Sequence, residues 1–211
     1  MIKTAGVKIG GRRENERFTE AARKPAELHR RFFPENVPFC FSYGNHRTFN
    51  FRESLRCQPD DAEVNDNLGN LLFQRGVYKE VAFYFEKAID ADPTFAEAHH
   101  HFGRLLVVIN EVPHALEELN EAGRLSAGDF QIHEDLADVL VATGHAGEAA
   151  AQYARVLELK PNYPKAELGL GMALLEQHRL AEARQHLEAA AQGPDPETAR
   201  RANALLAQYL R

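Results

Sequence analysis

Apolar runs in this chain are short. Stretches such as LLVVI (105–109) stop far below the roughly 20 residues that a bilayer crossing needs. The opening MIKTAGVKIGGRR lacks the apolar core of a secretory signal. The expectation is therefore a cytoplasmic protein with no membrane contact. Cysteine is scarce: Cys40 and Cys57 are the two present, and they form neither a CxxC pair nor a disulfide framework. CxxCH is absent, which leaves covalent haem without support. HExxH, a phosphate loop, a dinucleotide fingerprint and a nucleophile motif are likewise missing. These absences predict a chain that is not an enzyme and has no catalytic residues, no metal and no cofactor.

What is present belongs to a folded protein. The chain has 211 residues, 44% hydrophobic and 27% charged, enough for one sizeable domain or a repeat array with its own core. Charge is uneven. Residues 1–61 hold 12 Lys and Arg against 8 Asp and Glu, whereas 62–211 hold 13 against 23. An acidic main body argues against nucleic acid as the partner, because phosphate binding needs a basic stripe.

A period of 34 residues organises this body. Units begin at Ala62, Ala96, Phe130 and Pro164. The seventh residue of each is Leu68, Phe102, Leu136 or Leu170, and the eleventh is Leu72, Leu106, Leu140 or Leu174. The eighth is small in every unit (Gly69, Gly103, Ala137, Gly171), as is the twenty-seventh, apart from Val156 (Ala88, Ala122, Ala190). The twenty-fourth is large: Phe85, Leu119, Tyr153, Leu187. Small residues allow two helices to approach closely, and large ones fill the space between neighbouring hairpins. Gly76 and Gly144 occupy the turn inside a unit, replaced by Asn110 and His178 in the others, and Pro93 and Pro161 end the second helix.

This pattern resembles the tetratricopeptide repeat, met in full by the first and third units. The second lacks the turn Gly and the terminal Pro, and the fourth is looser at its end. The resemblance implies an all-α, right-handed superhelical stack (an α-solenoid) of four helix-turn-helix hairpins: 62–95, 96–129, 130–163 and 164–197. TARRANALLAQYLR then reads as an amphipathic capping helix over 198–211, with Ala202, Leu205, Leu206, Tyr209 and Leu210 on its apolar side. Residues 51–61 match the tail of a preceding repeat, with Leu55 and Pro59 in phase. Residues 1–50 lose the phase and read as an irregular, partly disordered basic arm in which Pro34 and Pro38 interrupt any first helix.

AEAHHHFGRLL places His99, His100 and His101 side by side. Neighbouring helical residues point about 100° apart, so three in a row do not close on one metal ion. A bridge between repeats, such as His101 with Asp135, is the one metal arrangement the register allows. In the resembled family the position of His99 holds an aromatic ring, and His133 repeats the choice, so both are expected to be packing residues. Glu134, Asp135 and Asp138 are expected to form a solvated helix face.

The resemblance also implies a partner-binding concave groove built by the first helices. In this chain it comprises Asp66, Asn67, Asn70 and Gln74 from the first unit and His100, His101, Arg104 and Val108 from the second. The third contributes Glu134, Asp135 and Asp138, and the fourth Lys165. Asn67 and Asn70 can both donate to and accept from a peptide backbone. The acids favour a protein or peptide segment carrying basic residues, with Arg104 and His101 fixing a counter-charge. Direct contact through His100 and His101 makes such binding weaken from about pH 7.5 towards 5.5. Chaperone-binding members of the family grip a C-terminal carboxylate with Lys, Asn and Arg. The matching positions are Asp66, Asn70, His101, Gln131 and Asp135, of which Asn70 alone fits. The expected function is a protein-interaction scaffold. The alternatives are a detached C-terminal module of a larger, possibly enzymatic protein, and a metal-binding protein organised on the ten histidines. Self-association through the stack ends is a further possibility.

Overall fold

The computed structural model describes residues 59–209. The basic arm and most of the remnant helix expected upstream lie outside the described residues, as does Leu210. Nine helices and no strands occur among the described residues: α1 Ala62–Gln74, α2 Tyr78–Ala91, α3 Ala96–Val108, α4 Val112–Leu125, α5 Phe130–Ala142, α6 Ala146–Leu159, α7 Pro164–Glu176, α8 Leu180–Ala191 and α9 Pro196–Tyr209. The first helices of the four hairpins start 34 residues apart, in the register read from the sequence.

Each hairpin closes the same way. The turn residue adopts positive φ: +73° at Gly76, +66° at Asn110, +79° at Gly144 and +59° at His178. The next amide then reaches back five residues, from Val77 to Leu72, Glu111 to Leu106, His145 to Leu140 and Arg179 to Leu174, at 2.8–3.1 Å. For Leu106 and Leu174 this satisfies a carbonyl that the helix end would otherwise leave unpaired, while Leu72 and Leu140 accept also from the Arg75 amide and the Thr143 hydroxyl. Asn tolerates the left-handed backbone well, so the second unit loses little by lacking Gly. Asp61 and Asp129 cap α1 and α5 by accepting from Val64 N and Gln131 N, both at 2.9 Å.

Packing follows the small-large rule. A Cβ added at Gly69 would stand 2.7 Å from Phe85 Cε1, and one at Gly103 or Gly171 2.7 Å from Leu119 Cγ or Leu187 Cγ. The two helices of a hairpin thus touch backbone to side chain, and the large residue is fully buried as a result. Leu68, Leu105, Leu119, Leu136, Val156 and Leu187 continue this core along the stack.

The helix α9 packs on α8 and α7 through Ala202, fully buried, with Leu205 and Leu206 half-buried. It starts two residues before the expected boundary, where Asp195 accepts from the Thr198 amide and hydroxyl. Tyr209 departs from the expected apolar side: it is 40% exposed.

Candidate partner-binding face

The fourth residue of each unit is polar and hydrogen-bonded through its side chain, buried in the first three units and half-buried in the fourth. His99 places Nδ1 2.7 Å from Glu118 Oε2 and Nε2 3.1 Å from the Pro93 carbonyl. His133 does the same with Gln152 Oε1 at 2.8 Å and the Ala127 carbonyl at 3.3 Å. In the fourth unit the pair is inverted, Glu167 Oε2 lying 2.7 Å from His186 Nδ1. Asn65 in the first unit donates to the Pro59 carbonyl at 3.0 Å. The histidines that sequence reasoning takes as packing residues are buried, and they also clip the first helix to the second and to the preceding loop. Nearby, Glu86 has its carboxyl pushed up to about 7 by burial, with repulsion from Asp90 and Glu118 adding to it.

The fifth and sixth residues build a second set of contacts, from one hairpin to the next. His101 Nδ1 of α3 lies 2.8 Å from Asp66 Oδ1 of α1, and His100 Nε2 lies 2.8 Å from Asp135 Oδ2 of α5. The two imidazoles stack at 5.7 Å between ring centroids, and His101 stacks in turn on Phe85 at 5.9 Å. Arg104 Nε approaches Asp135 to 3.4 Å while its guanidinium lies over the Phe73 ring. The register-based pairing of His101 with Asp135 is corrected: adjacent histidines turn towards opposite neighbours, and each carboxylate receives its own imidazole. Among the described residues no three His, Cys, Asp or Glu groups converge to hold a metal ion.

A further correction concerns Glu134, which is buried; Asp135 is half-buried and Asp138 exposed, and all three are paired. Glu134 is buried, 2.5 Å from Lys165 Nζ and 3.2 Å from the Tyr163 hydroxyl. Asp138 accepts from the Tyr153 hydroxyl at 2.5 Å and from Lys165 at 3.2 Å. Partial burial works against the Lys165 charge, yet Glu134 and Asp138 outweigh it and raise its pKa. Burial, reinforced by Asp138, raises the Tyr153 pKa as well. Room for Tyr153 comes from Gly169, where a Cβ would sit 2.3 Å from Tyr153 Cζ. Sequence reasoning missed Gly169, Tyr153 and Tyr163 as members of this face. The available signal was Gly169 at the sixth position, where the other units carry Asn67, His101 and Asp135.

The inter-hairpin contacts thus bring Asp66, His100, His101, Arg104, Glu134, Asp135, Asp138 and Lys165 onto one face of the first helices. Asn67, Asn70 and Gln74 lie on α1 at i, i+3 and i+7, one side of the helix, with Asn67 and Gln74 exposed and Asn70 half-buried. Val108 is half-buried beside the exposed Val107.

Comparison with known proteins agrees with this architecture. Profiles of the tetratricopeptide repeat match residues 62–95 and 134–197. The fold is shared with YrrB, a TPR protein described as having an unusual peptide-binding site (TM-score 0.68, 23% identity, 75% of this chain and 82% of that one). It is also shared with MamA (TM-score 0.63, 21% identity, 78% and 85%). The first TPR of Spaghetti (RPAP3), bound to the HSP90 peptide SRMEEVD, is similar over 56% of this chain and 94% of that one (TM-score 0.54, 25% identity). A local match of 34% identity over 55 residues joins the chain to human protein arginine N-methyltransferase 9, spanning 26% of this chain and 6% of that protein. No described helix is long and apolar enough to cross a membrane. Helix pairs at a 34-residue interval, a positive-φ turn in every unit and two profile matches lead to one conclusion: the chain belongs to the tetratricopeptide-repeat family.

Proposed function

We propose that this chain is a protein-interaction scaffold whose concave face, built by the first helices, takes an extended peptide segment carrying basic residues. The observation that carries this is the row of side-chain amides on α1. Asn67, Asn70 and Gln74 make no side-chain hydrogen bond among the described residues, and they flank a face where four carboxylates meet two permanent cations. Amides of this kind pair with a peptide backbone in both directions, and the acid excess selects the side chains. The HSP90 peptide held by the RPAP3 repeat is acidic. At the carboxylate-gripping positions of such repeats this chain has Asp66, Asp135 and His101, so its partner differs in charge. The reading assigns the chain no chemistry of its own.

A test is an array of immobilised peptides of graded charge, probed with the native protein and with an Asn67→Lys, Asn70→Ala, Gln74→Lys variant shown by circular dichroism to be folded. The expected result is retention on basic peptides that the variant loses. Equal retention by both proteins would move binding to another surface. A second reading, an interaction module of a larger enzyme, is supported by the local match to the human methyltransferase. The coding sequence on either side of this segment tests it.

A further inference from the structure

At the junction of the third and fourth hairpins, two aromatic rings form a corner. Phe130 opens α5 and Tyr163 precedes α7, with ring centroids 5.8 Å apart and planes at 76°. Both rings are half-buried and braced on one side by the core cluster around Leu136 and Leu170. The ammonium of Lys160, an exposed residue at the end of α6, sits in this corner, 4.1 Å from the Phe130 centroid and 4.0 Å from that of Tyr163. The Tyr163 hydroxyl donates to Glu134, itself held by Lys165, so the corner adjoins the acidic end of the face described above. At the other junctions the corresponding pairs are Ala62 with Phe95 and Ala96 with Asp129, which supply at most one ring.

We infer that Phe130 and Tyr163 form a binding site for an alkylammonium group, the lysine head of a partner peptide, which Lys160 fills from within the chain until a partner displaces it. The chemistry follows from the rings. Two faces at 76° offer a cation their negative quadrupoles together, and the short distances to both centroids show that the corner is sized for an ammonium. Lys160 is a replaceable occupant. It reaches the corner on a flexible, exposed stem, so holding it there sacrifices rotamer freedom that is regained on release. A competing lysine would meet the Glu134 carboxylate nearby, and Lys160 released to solvent loses nothing but the ring contacts. The inference deepens the groove reading by naming one side chain of the partner, and it rests on that reading for the partner alone.

The test uses choline, a quaternary ammonium, and its uncharged isostere 3,3-dimethyl-1-butanol, titrated by NMR into the full chain. Ring-current shifts of the probe methyl groups report contact with aromatic faces. Removing the internal competitor by Lys160→Ala should tighten choline binding by roughly three- to sixfold. Phe130→Leu or Tyr163→Leu on that background, with folding checked by circular dichroism, should abolish it, while Tyr163→Phe should keep it. Equal binding of choline and the alcohol would reduce the corner to an apolar surface and overturn the inference. So would identical choline affinities for the native and Lys160→Ala proteins. Because the probe touches none of Asn67, Asn70 or Gln74, its outcome is independent of the peptide array. The groove reading can fail with the corner intact, or stand with the corner overturned.

Discussion

His99 and Glu118 face each other at 2.7 Å across a hairpin, 19 residues apart, and in the fourth unit Glu167 and His186 occupy the same two places with their roles exchanged. The geometry needs one imidazole and one hydrogen-bonding partner, and either helix can supply either. Unit three shows that a neutral partner suffices, since Gln152 meets His133 there at 2.8 Å.

Glu118→Gln therefore copies the third unit and should change stability by less than about 0.5 kcal/mol. Glu118→Ala leaves a buried imidazole nitrogen unpaired and should cost about 1–3 kcal/mol. The exchange His99→Glu with Glu118→His should recover most of what either single change loses. Urea melts of the five variants, the two single changes of the exchange included, measure all three differences; a double variant no better than the sum of its singles would show that the pair is not reversible at this position.

Burial and the neighbouring Asp90 and Glu118 push the Glu86 carboxyl up to about 7 from an ordinary value near 4.5. A folded carboxyl that holds its proton more tightly than the unfolded one binds more protons in the native state. Its contribution to stability is complete below about pH 4.5, falls as pH rises towards 7 and is flat above. Glu86→Gln removes this term. Relative to the native protein, the variant should gain on the order of 1–3 kcal/mol between pH 5 and pH 8. Denaturant melts at the two pH values give the difference; an unchanged gap between the proteins would show that Glu86 titrates alike in both states.

Leu136 is 2% exposed between the second and third hairpins. Leu136→Ala opens a cavity there and should cost about 2–5 kcal/mol. In a stack where each unit leans on its neighbours, hydrogen exchange should accelerate in α4 to α7 first. A loss below about 1 kcal/mol would contradict the packing described.

Lys165 neutralises the buried Glu134 and steadies Asp138. Lys165→Met keeps the aliphatic stem and removes the charge. It should cost about 1–3 kcal/mol, because Glu134 then lies buried with the Tyr163 hydroxyl alone. Glu134→Gln added to it should restore part of the loss in the same melts. Absence of any rescue would assign the effect to packing.

The Gly169 position makes the dependence on a distant residue explicit. A Cβ there would stand 2.3 Å from the Tyr153 ring. Gly169→Ala should cost about 1–3 kcal/mol by overpacking. The same change beside Tyr153→Leu should cost less, a coupling that thermal melts of the double variant would detect.

The hairpins and their register were legible without coordinates. Small residues at the eighth and twenty-seventh positions, large ones at the twenty-fourth and Gly or Asn at the turn are local requirements of two helices that touch and reverse, so they repeat with the chain's own period. The candidate groove residues came from the family resemblance laid over that period. How those residues pair was not legible. Adjacent histidines point about 100° apart on a helix, so whether His101 meets Asp135 or Asp66 depends on how one hairpin is rotated over the next. That rotation is set by the packing of whole helices, not by spacing along one. The burial of Glu134 and the pairing of Asp138 were hidden for the same reason. Their cation and hydroxyls arrive from Lys165, Tyr163 and Tyr153, which the stack alone brings within reach. The sequence by itself determined the repeat, its turns and its core, because these obey short-range sterics. The tertiary structure decided which charges on the first helices are paired, and which amides make no side-chain bond among the described residues, because that depends on distances between hairpins.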